Sequence, residues 1–163
     1  MNQVRRRDRA VEDETWIRRF LHEARYGVVA SVCEGQPYLN PLLFVYDEES
    51  NAILFHTARG GRIHSNISGN GRVCFCVSEM GRLIGDEEAC AFDVEYASVI
   101  VLGRACVLEE EAEAGRALGL LVRKYFPEAA HGEGGKPIPP EQAKRPAVYR
   151  VDIESWSGKR NAL

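Results

Sequence analysis

The sequence contains no hydrophobic run that approaches the ~20 residues needed for a membrane-spanning helix. Its first segment, Met1 to Glu14, is strongly charged and lacks the apolar stretch of a secretion signal. We therefore expect a cytoplasmic protein with no membrane partner.

An excess of charge of one sign is also absent. The 163 residues include 21 Lys and Arg against 24 Asp and Glu, which gives a formal net charge of -3. Nucleic acids and anionic membranes select strongly basic surfaces. We therefore expect a small-molecule ligand and no nucleic-acid partner.

Cysteine is present, but not in a pattern typical of a fold that is cross-linked by disulfides. The count of five is odd, and no spacing matches a disulfide framework or a zinc site. Cys74 and Cys76 stand two apart, so in a strand they share one face. We interpret these two as small buried side chains in a reducing compartment and predict no metal site.

Nucleotide-binding glycine motifs are missing as well. No Gly-x-Gly-x-x-Gly follows a strand pattern, and Gly132 to Gly135 lacks the Gly-Lys-Ser/Thr ending of a phosphate-binding P-loop. The length and the 45% hydrophobic content fit one globular domain over residues 1–163.

Three segments are predicted as helices. Apolar residues from Glu12 to Ala24 recur at helical spacing, with Asp13 as a candidate N-cap. A second helix is predicted from Glu109 to Phe126, ended by Pro127. Arg62 to Ser68 is predicted as a short helix. The basic arm Arg5 to Arg9 is either solvated or laid across a partner subunit.

Strand patterns fill most of the remaining chain. Pro41 predicts a bulge or an edge position, and Gly103 predicts a bulge or a bend. The segments Met80 to Phe92, Glu128 to Pro146 and Glu154 to Leu163 are predicted as an excursion, a loop and a tail. The predicted strands are Tyr26 to Cys33, Tyr38 to Tyr46, Ala52 to Thr57, Arg72 to Ser78, Val94 to Leu108 and Ala147 to Ile153. About six antiparallel strands with flanking helices indicate a mainly β (α+β) barrel.

The segment Leu54 to Cys76, LFHTARGGRIHSNISGNGRVCFC, can hold a phosphate. Glycines let the backbone approach an anion, and the N–H groups at a helix start point toward it. Arg59 or Arg62 can bind it through a guanidinium. The alternative is an ordinary loop with solvated arginines.

This segment resembles the FMN-phosphate loop of the pyridoxamine 5′-phosphate oxidase-like split-barrel flavoproteins. PYLNPLLFVYD resembles the second strand of that family, EYASVIVLGRA its long central strand, and WSGKR the C-terminal signature of its nitroimidazole-resistance branch. The resemblance implies a split β-barrel that forms a homodimer, with FMN bound at the subunit interface.

By resemblance, the phosphate of FMN is assigned to Arg62, with help from Thr57, Asn66 and Arg59. The remaining assigned cofactor contacts, on the ring, the ribityl chain and the closing edge of the site, are Asn40, Pro41, Leu42, His56, Ala58, Ser98, Val99, Trp156 and Arg160. Trp156 and Arg160 come from either subunit.

His56 is the candidate catalytic residue. An imidazole beside a flavin can donate a proton to a reduced substrate near neutral pH. The alternative is a hydrogen-bonded core histidine at the end of a strand.

Two departures from the family pattern bear on function. Ile63 stands where many relatives carry a lysine after the Gly-Arg pair, and only Lys159 and Arg160 form a basic set near the C-terminus. The resemblance implies an FMN-dependent reductase of small electron-poor acceptors such as nitroimidazoles. The alternatives are a pyridoxamine 5′-phosphate oxidase-type oxidase, and a non-enzymatic flavin- or haem-binding module with His56 or His64 as the axial ligand.

Overall fold

The structure, a computed structural model, describes residues 4–128 and 138–161. Its helices are α1 (Glu14–Glu23), α2 (Arg62–Gly69), α3 (Glu111–Tyr125) and α4 (Pro140–Ala143). Its strands are β1 (Ala10–Val11), β2 (Gly27–Cys33), β3 (Gln36–Leu42), β4 (Phe44–Asp47), β5 (Ala52–Ala58), β6 (Arg72–Ile84), β7 (Asp93–Val107) and β8 (Pro146–Asn161). None of these helices combines the length and the apolar character required to cross a bilayer.

All strands belong to one antiparallel sheet with the order β3-β2-β6-β7-β8-β5-β4, and β1 pairs with β8. β3 and β4 are the two ends of this order, yet only Leu43 separates them along the chain. The sheet must therefore curl until its ends approach each other, which produces a barrel that is open between β3 and β4.

The segment Tyr38 to Tyr46, predicted as a single strand, is divided between β3 and β4 at Leu43. This division and the short β1 raise the strand count from the predicted six to eight within the described residues. Pro41 lies in β3, which pairs with β2 alone among the strands of the described residues, so the edge position expected for this proline is confirmed.

Two strands extend beyond their predicted ends. β6 continues to Ile84 because it pairs with β7 across an irregularity between Met80 and Leu83. β8 continues to Asn161 because β1 and β7 flank its second half, so the predicted excursion and tail were wrong over these residues. A register shift after Leu102 confirms an irregularity at Gly103: Leu102 pairs with Ser155 and Gly103 with Ile153, so the extra residue of the bulge is Glu154 of β8. A Cβ at Gly103 would collide with the carbonyl oxygen of Asp152.

The helices follow the predicted periodicity. The Asp13 carboxylate caps α1 by accepting hydrogen bonds from the amides of Thr15 and Trp16 at 2.9 and 3.3 Å. α3 ends before Pro127, as predicted. α4 lies in the segment predicted as a loop; residues 129–137 of that segment, with Gly132 to Gly135, lie outside the described residues.

The core has two parts. The larger part lies inside the curled sheet, where α1 and α2 pack against alternate residues of the central strands, among them Val29, Phe75 and Val99. The smaller part lies between α3 and the other face of β4, β5 and β8. Consecutive residues of β5 therefore face different cores, and this alternation orients the side chains at the end of β5.

Candidate functional site

The loop between β5 and α2 offers an open backbone surface. Gly60 and Gly61 adopt φ values of 85° and 89°, and a Cβ at either position would meet no atom within 4 Å. Gly61 is the N-cap of α2 and provides no side-chain cap. The first amides of α2 therefore keep their hydrogen-bonding capacity for an anion, which the helix dipole also favours.

Arg62 is the first residue of α2 and faces β3. Its guanidinium carbon lies 5.6 Å from the ring centroid of Tyr38. One turn later, on the same face of the helix, the Asn66 amide donates to the Ser31 hydroxyl at 2.9 Å. Arg62 is exposed beside the loop, whereas Asn66 is buried and bonded to β2. The structure thus places the Asn66 side chain in the protein interior, whereas Arg62 lies at the surface of the loop.

The opposite face of α2 meets β5 and β8. The His64 Nδ1 atom lies 3.0 Å from the Tyr149 hydroxyl, and the Thr57 hydroxyl lies 3.5 Å from the same oxygen. Tyr149 is fully buried and stacks on Phe55 with ring centroids 4.8 Å apart. α2 thus connects the β2–β3 side of the barrel with the β5–β8 side, and Thr57 and Arg62 flank its N-terminus.

Arg59 is held away from the helix start. Its Nε donates to the backbone carbonyl of Lys144 at 2.6 Å, which draws the side chain toward α4. Arg62 is therefore the better-placed of the two loop arginines for an anion at the helix N-terminus.

His56 and Thr57 point to opposite faces of β5. Thr57 lies on the α2 side. His56 pairs with Val148, a member of the smaller part of the core beneath α3, here called the α3 core. The His56 and Ala58 side chains are both exposed. The structure does not join His56 to the Thr57–His64–Tyr149 group.

β3 brings its predicted residues close to Arg62. Asn40 and Leu42 share a face with Tyr38, and all three are half-buried, while Pro41 projects from the exposed face. Asn40 thus lies two residues along the strand from the ring on which Arg62 rests.

The two predicted residues of β7 are differently placed. Val99 is 0% exposed in the core, and its strand pairs on both sides, with Val77 and Gly158. Ser98 lies on the outer face of the sheet, opposite Ser78 and Lys159. Ser98 can contact a ligand from that face, whereas the Val99 side chain faces inward.

Trp156 and Arg160 lie far along β8 from the loop. Ala147 pairs with Thr57, and Trp156 follows nine residues later, about 30 Å along an extended strand. The guanidinium of Arg18 covers Trp156 at 4.8 Å, and that of Arg160 covers Trp16 at 5.7 Å. One chain therefore does not bring these two residues to Arg62.

Sequence reasoning missed three contributors to this arrangement: Ser31, Tyr38 and Tyr149. Tyr38 had a local signal, because it alternates with Asn40 on one strand. The pairings of Asn66 with Ser31 and of His64 with Tyr149 span 35 and 85 residues, and no local pattern predicts them.

The thiols offer little chemistry to this region. Burial raises the pKa of both Cys74 and Cys76, which favours the neutral thiol over the reactive thiolate. Over residues 4–128 and 138–161, no three His, Cys, Asp or Glu side chains gather as a metal ion would require.

A family model described as pyridoxamine 5′-phosphate oxidase matches residues 13–160. No curated protein matches the chain. A candidate 5-nitroimidazole antibiotic resistance protein from Bacteroides thetaiotaomicron superposes with a TM-score of 0.77 at 21% identity, covering 93% of this chain and 86% of that protein.

Two larger proteins share the fold. The flavocytochrome Anf3 from Azotobacter vinelandii superposes with a TM-score of 0.84 at 22% identity, over 99% of this chain and 73% of that one. An FAD- and haem-binding protein from Mycobacterium smegmatis gives a TM-score of 0.81 at 15% identity, over 94% and 73%. These similarities confirm the split β-barrel fold.

Proposed function

Because the chain belongs to the pyridoxamine 5′-phosphate oxidase family, we propose that it is an FMN-binding flavoprotein that reduces small electron-poor acceptors. The observation that carries the proposal is the uncapped N-terminus of α2, with Gly60, Gly61 and Arg62 around it. When bound, FMN accepts a pair of electrons and passes it to the acceptor.

The chain's own residues fit the phosphate end of FMN. The exposed Arg62 guanidinium supplies a charge-assisted donor, and the first amides of α2 supply backbone donors. Thr57 adds a hydroxyl from the other side of the helix. The position after the Gly-Arg pair holds the buried Ile63, where many relatives carry a lysine. A second cation for the phosphate is therefore missing at this position. Arg62 would therefore carry most of the side-chain interaction with the phosphate.

A second copy of the chain completes the site. The outer face of the central strands carries small and apolar residues where a monomer would present charge: Val28, Ala30, Cys74, Cys76, Ile100 and Leu102. Next to it, Leu39 on the unpaired edge of β3 is 62% exposed. A homodimer through this face covers it and lets outer-face residues of one subunit, Ser98 among them, approach the loop of the other.

Reduction of an acceptor is favoured over oxidation of a B6 phosphate. Lys159 and Arg160 are consecutive in β8 and point to opposite faces, one toward Tyr96 and the other toward Trp16. They cannot together bind a substrate phosphate in the same chain. An assay for oxygen-dependent formation of pyridoxal phosphate checks this, and we expect none.

The acceptor class is proposed from the shared fold with the Bacteroides thetaiotaomicron protein. FMN-loaded protein, supplied with NAD(P)H or dithionite without oxygen, is expected to consume a 5-nitroimidazole. Protein that holds flavin but leaves the nitro compound intact would refute this acceptor and leave the flavin site standing.

The flavin site itself is tested by titrating the FMN-free protein with FMN and with riboflavin. Arg62→Ala should weaken FMN binding by roughly tenfold or more, because a hydrogen bond to a charged group contributes ~1.5–3 kcal/mol. Riboflavin, which has no phosphate, should bind both proteins equally. Arg123→Ala, which removes an exposed charge on α3, is the matched control. Unchanged FMN affinity in the Arg62 variant would refute the phosphate assignment.

Haem is the second candidate ligand, favoured by His64. The Nδ1 atom of His64 lies 3.0 Å from the Tyr149 hydroxyl, so Nε2 is the nitrogen left to bind a metal. Metal-binding histidines are commonly oriented by such an oxygen partner on the other ring nitrogen. The absorption spectrum of the purified protein separates the candidates, since a flavin gives a yellow protein and haem gives a Soret band. A Soret band that disappears in His64→Leu would establish the haem alternative.

The proposed location is the cytoplasm. All five cysteines are free, and Cys74 and Cys76 lie two apart on one strand face without forming a disulfide. Free thiols in this number suit a reducing compartment.

A further inference from the structure

A cavity of about 270 Å³ lies between the N-terminal arm and the outer face of β7 and β8. The arm closes one side of it and the two strands form its floor. Its polar and apolar lining includes Arg5, Arg6, Ser98, Ile100, Ser157 and Lys159. The volume is near the lower end for small-molecule sites, so it suits a small ligand or one end of a larger one.

Among the described residues, the cavity lining is cationic and includes no carboxylate. Arg6 is largely neutralised, because its guanidinium donates to Asp8 at 2.9 and 2.6 Å. Arg5 and Lys159 form no ion pair with any residue in the described parts of the chain. Two positive charges beside the Ser98 hydroxyl are a suitable set of donors for an oxyanion.

A neighbouring tyrosine, Tyr96, lies in the same positive electrostatic potential. Lys159 Nζ lies 4.9 Å and the Arg9 guanidinium carbon 5.8 Å from the ring centroid of Tyr96, which shares the outer face with Ser98. Burial works to raise the pKa of the Tyr96 hydroxyl, but Lys159 and Arg9 outweigh it, so the net shift is downward. The positive potential therefore extends beyond the cavity lining itself.

The arm is fixed by specific contacts. Arg9 donates to the Asp93 carboxylate at 2.5 Å, and β1 pairs Ala10 with Lys159 on the edge of β8. These contacts hold Arg5 and Arg6 over β7 and β8, so the fold itself fixes the position of the cavity.

We infer that this cavity binds the anionic group, a carboxylate or a phosphate, of a small second ligand. The inference rests on the proposed function in one respect: Ser98, a proposed flavin contact, also lines the cavity, so the anion lies beside the flavin. The anionic group held by Arg5 and Lys159 then belongs to a small molecule that lies next to the flavin.

The test measures binding to FMN-free and to FMN-loaded protein by calorimetry, with benzoate, phenyl phosphate and the neutral benzyl alcohol as probes. One or both anions should bind, and benzyl alcohol should not. Arg5→Ala and Lys159→Ala should each weaken anion binding roughly tenfold. Arg123→Ala removes the same charge far from the arm and should change nothing. Rising salt should weaken the binding.

Arg5→Ala keeps the test independent of folding, because Arg5 lies outside the helices and strands. Anion binding that is equal in the wild type and in both variants would overturn the inference. A loss of FMN affinity with no loss of riboflavin affinity in these variants would also overturn it, since the cavity would then belong to the flavin phosphate. Failure of the proposed function has a different signature, in which the wild type binds no flavin.

Discussion

At the scale of single residues, orientation separates neighbours that the sequence presents together. His56 and Thr57 are adjacent, yet one faces solvent beside the α3 core and the other faces Tyr149. Lys159 and Arg160 are divided in the same way. Each residue's chemistry therefore depends on the face of the strand from which it projects.

His56 provides a prediction at this scale. His56→Ala should leave FMN affinity unchanged, because the side chain is exposed and separated from the phosphate loop. If His56 of either subunit donates a proton to the acceptor, turnover of the nitro compound should fall about 100-fold or more. His22→Ala, on the exposed side of α1, is the control. Unchanged turnover would leave His56 without a catalytic role.

At the scale of elements, ion pairs join α3 to the barrel. Arg116 of α3 donates to Asp47 at the end of β4 at 2.8 and 3.1 Å, and also to Glu49 at 2.8 Å. Asp47 is 6% exposed, whereas the Arg116 side chain is 46% exposed. Hydrogen bonding by Arg116 holds the pKa of the Asp47 carboxyl below its usual range.

Asp47→Asn should therefore lower the free energy of unfolding at pH 7 by about 1 kcal/mol, a value reduced by solvent screening of Arg116. A carboxyl with a lowered folded-state pKa stabilises the fold above its unfolded pKa of about 3.9, and this contribution is lost as the pH falls through the folded value. The difference between variant and wild type should thus shrink in acid. Urea unfolding at several pH values measures it.

The exposed pair Lys144–Glu111 serves as the control for this experiment. Glu111→Gln should change stability by less than Asp47→Asn at pH 7, because surface ion pairs contribute ~0–1 kcal/mol. An Asp47→Asn penalty that stays constant down to pH 2 would contradict the expected linkage.

At the scale of the whole molecule, the outer face of the central strands determines the proposed assembly. Both α1 and α2 pack inside the curled sheet, so they leave this face uncovered. Ile100, which borders this face and also lines the cavity beneath the N-terminal arm, is 37% exposed, and the thiols of Cys74 and Cys76 lie on the neighbouring strand. A partner surface of the same kind would bury these groups.

We expect the wild type to sediment as a dimer and Leu39→Glu to sediment as a monomer with weakened flavin binding. A charge at this position would be buried without a partner in the dimer but solvated in the monomer. Phe126→Glu, an equally exposed apolar position at the end of α3, should remain dimeric. Analytical ultracentrifugation measures both, and a monomeric wild type that binds FMN fully would contradict the dimer.

Much of the fold was predictable because its signals are local. The spacing of Trp16, Ile17, Phe20 and Leu21 predicted α1, and Asp13 predicted its cap. Gly103 predicted the irregularity between β7 and β8. The ends of β6 and β8 were not predictable, because distant strands pair with those extensions and no local pattern encodes the pairing.

For the candidate site, the sequence by itself determined the loop chemistry: two glycines, an arginine and a helix start suited to an anion. Only the tertiary structure decided that Asn66 is bonded to Ser31, that Val99 faces the core, and that Trp156 lies remote from Arg62. The physical reason is that residue type fixes what a group can bind, whereas strand register and long-range packing fix where it points.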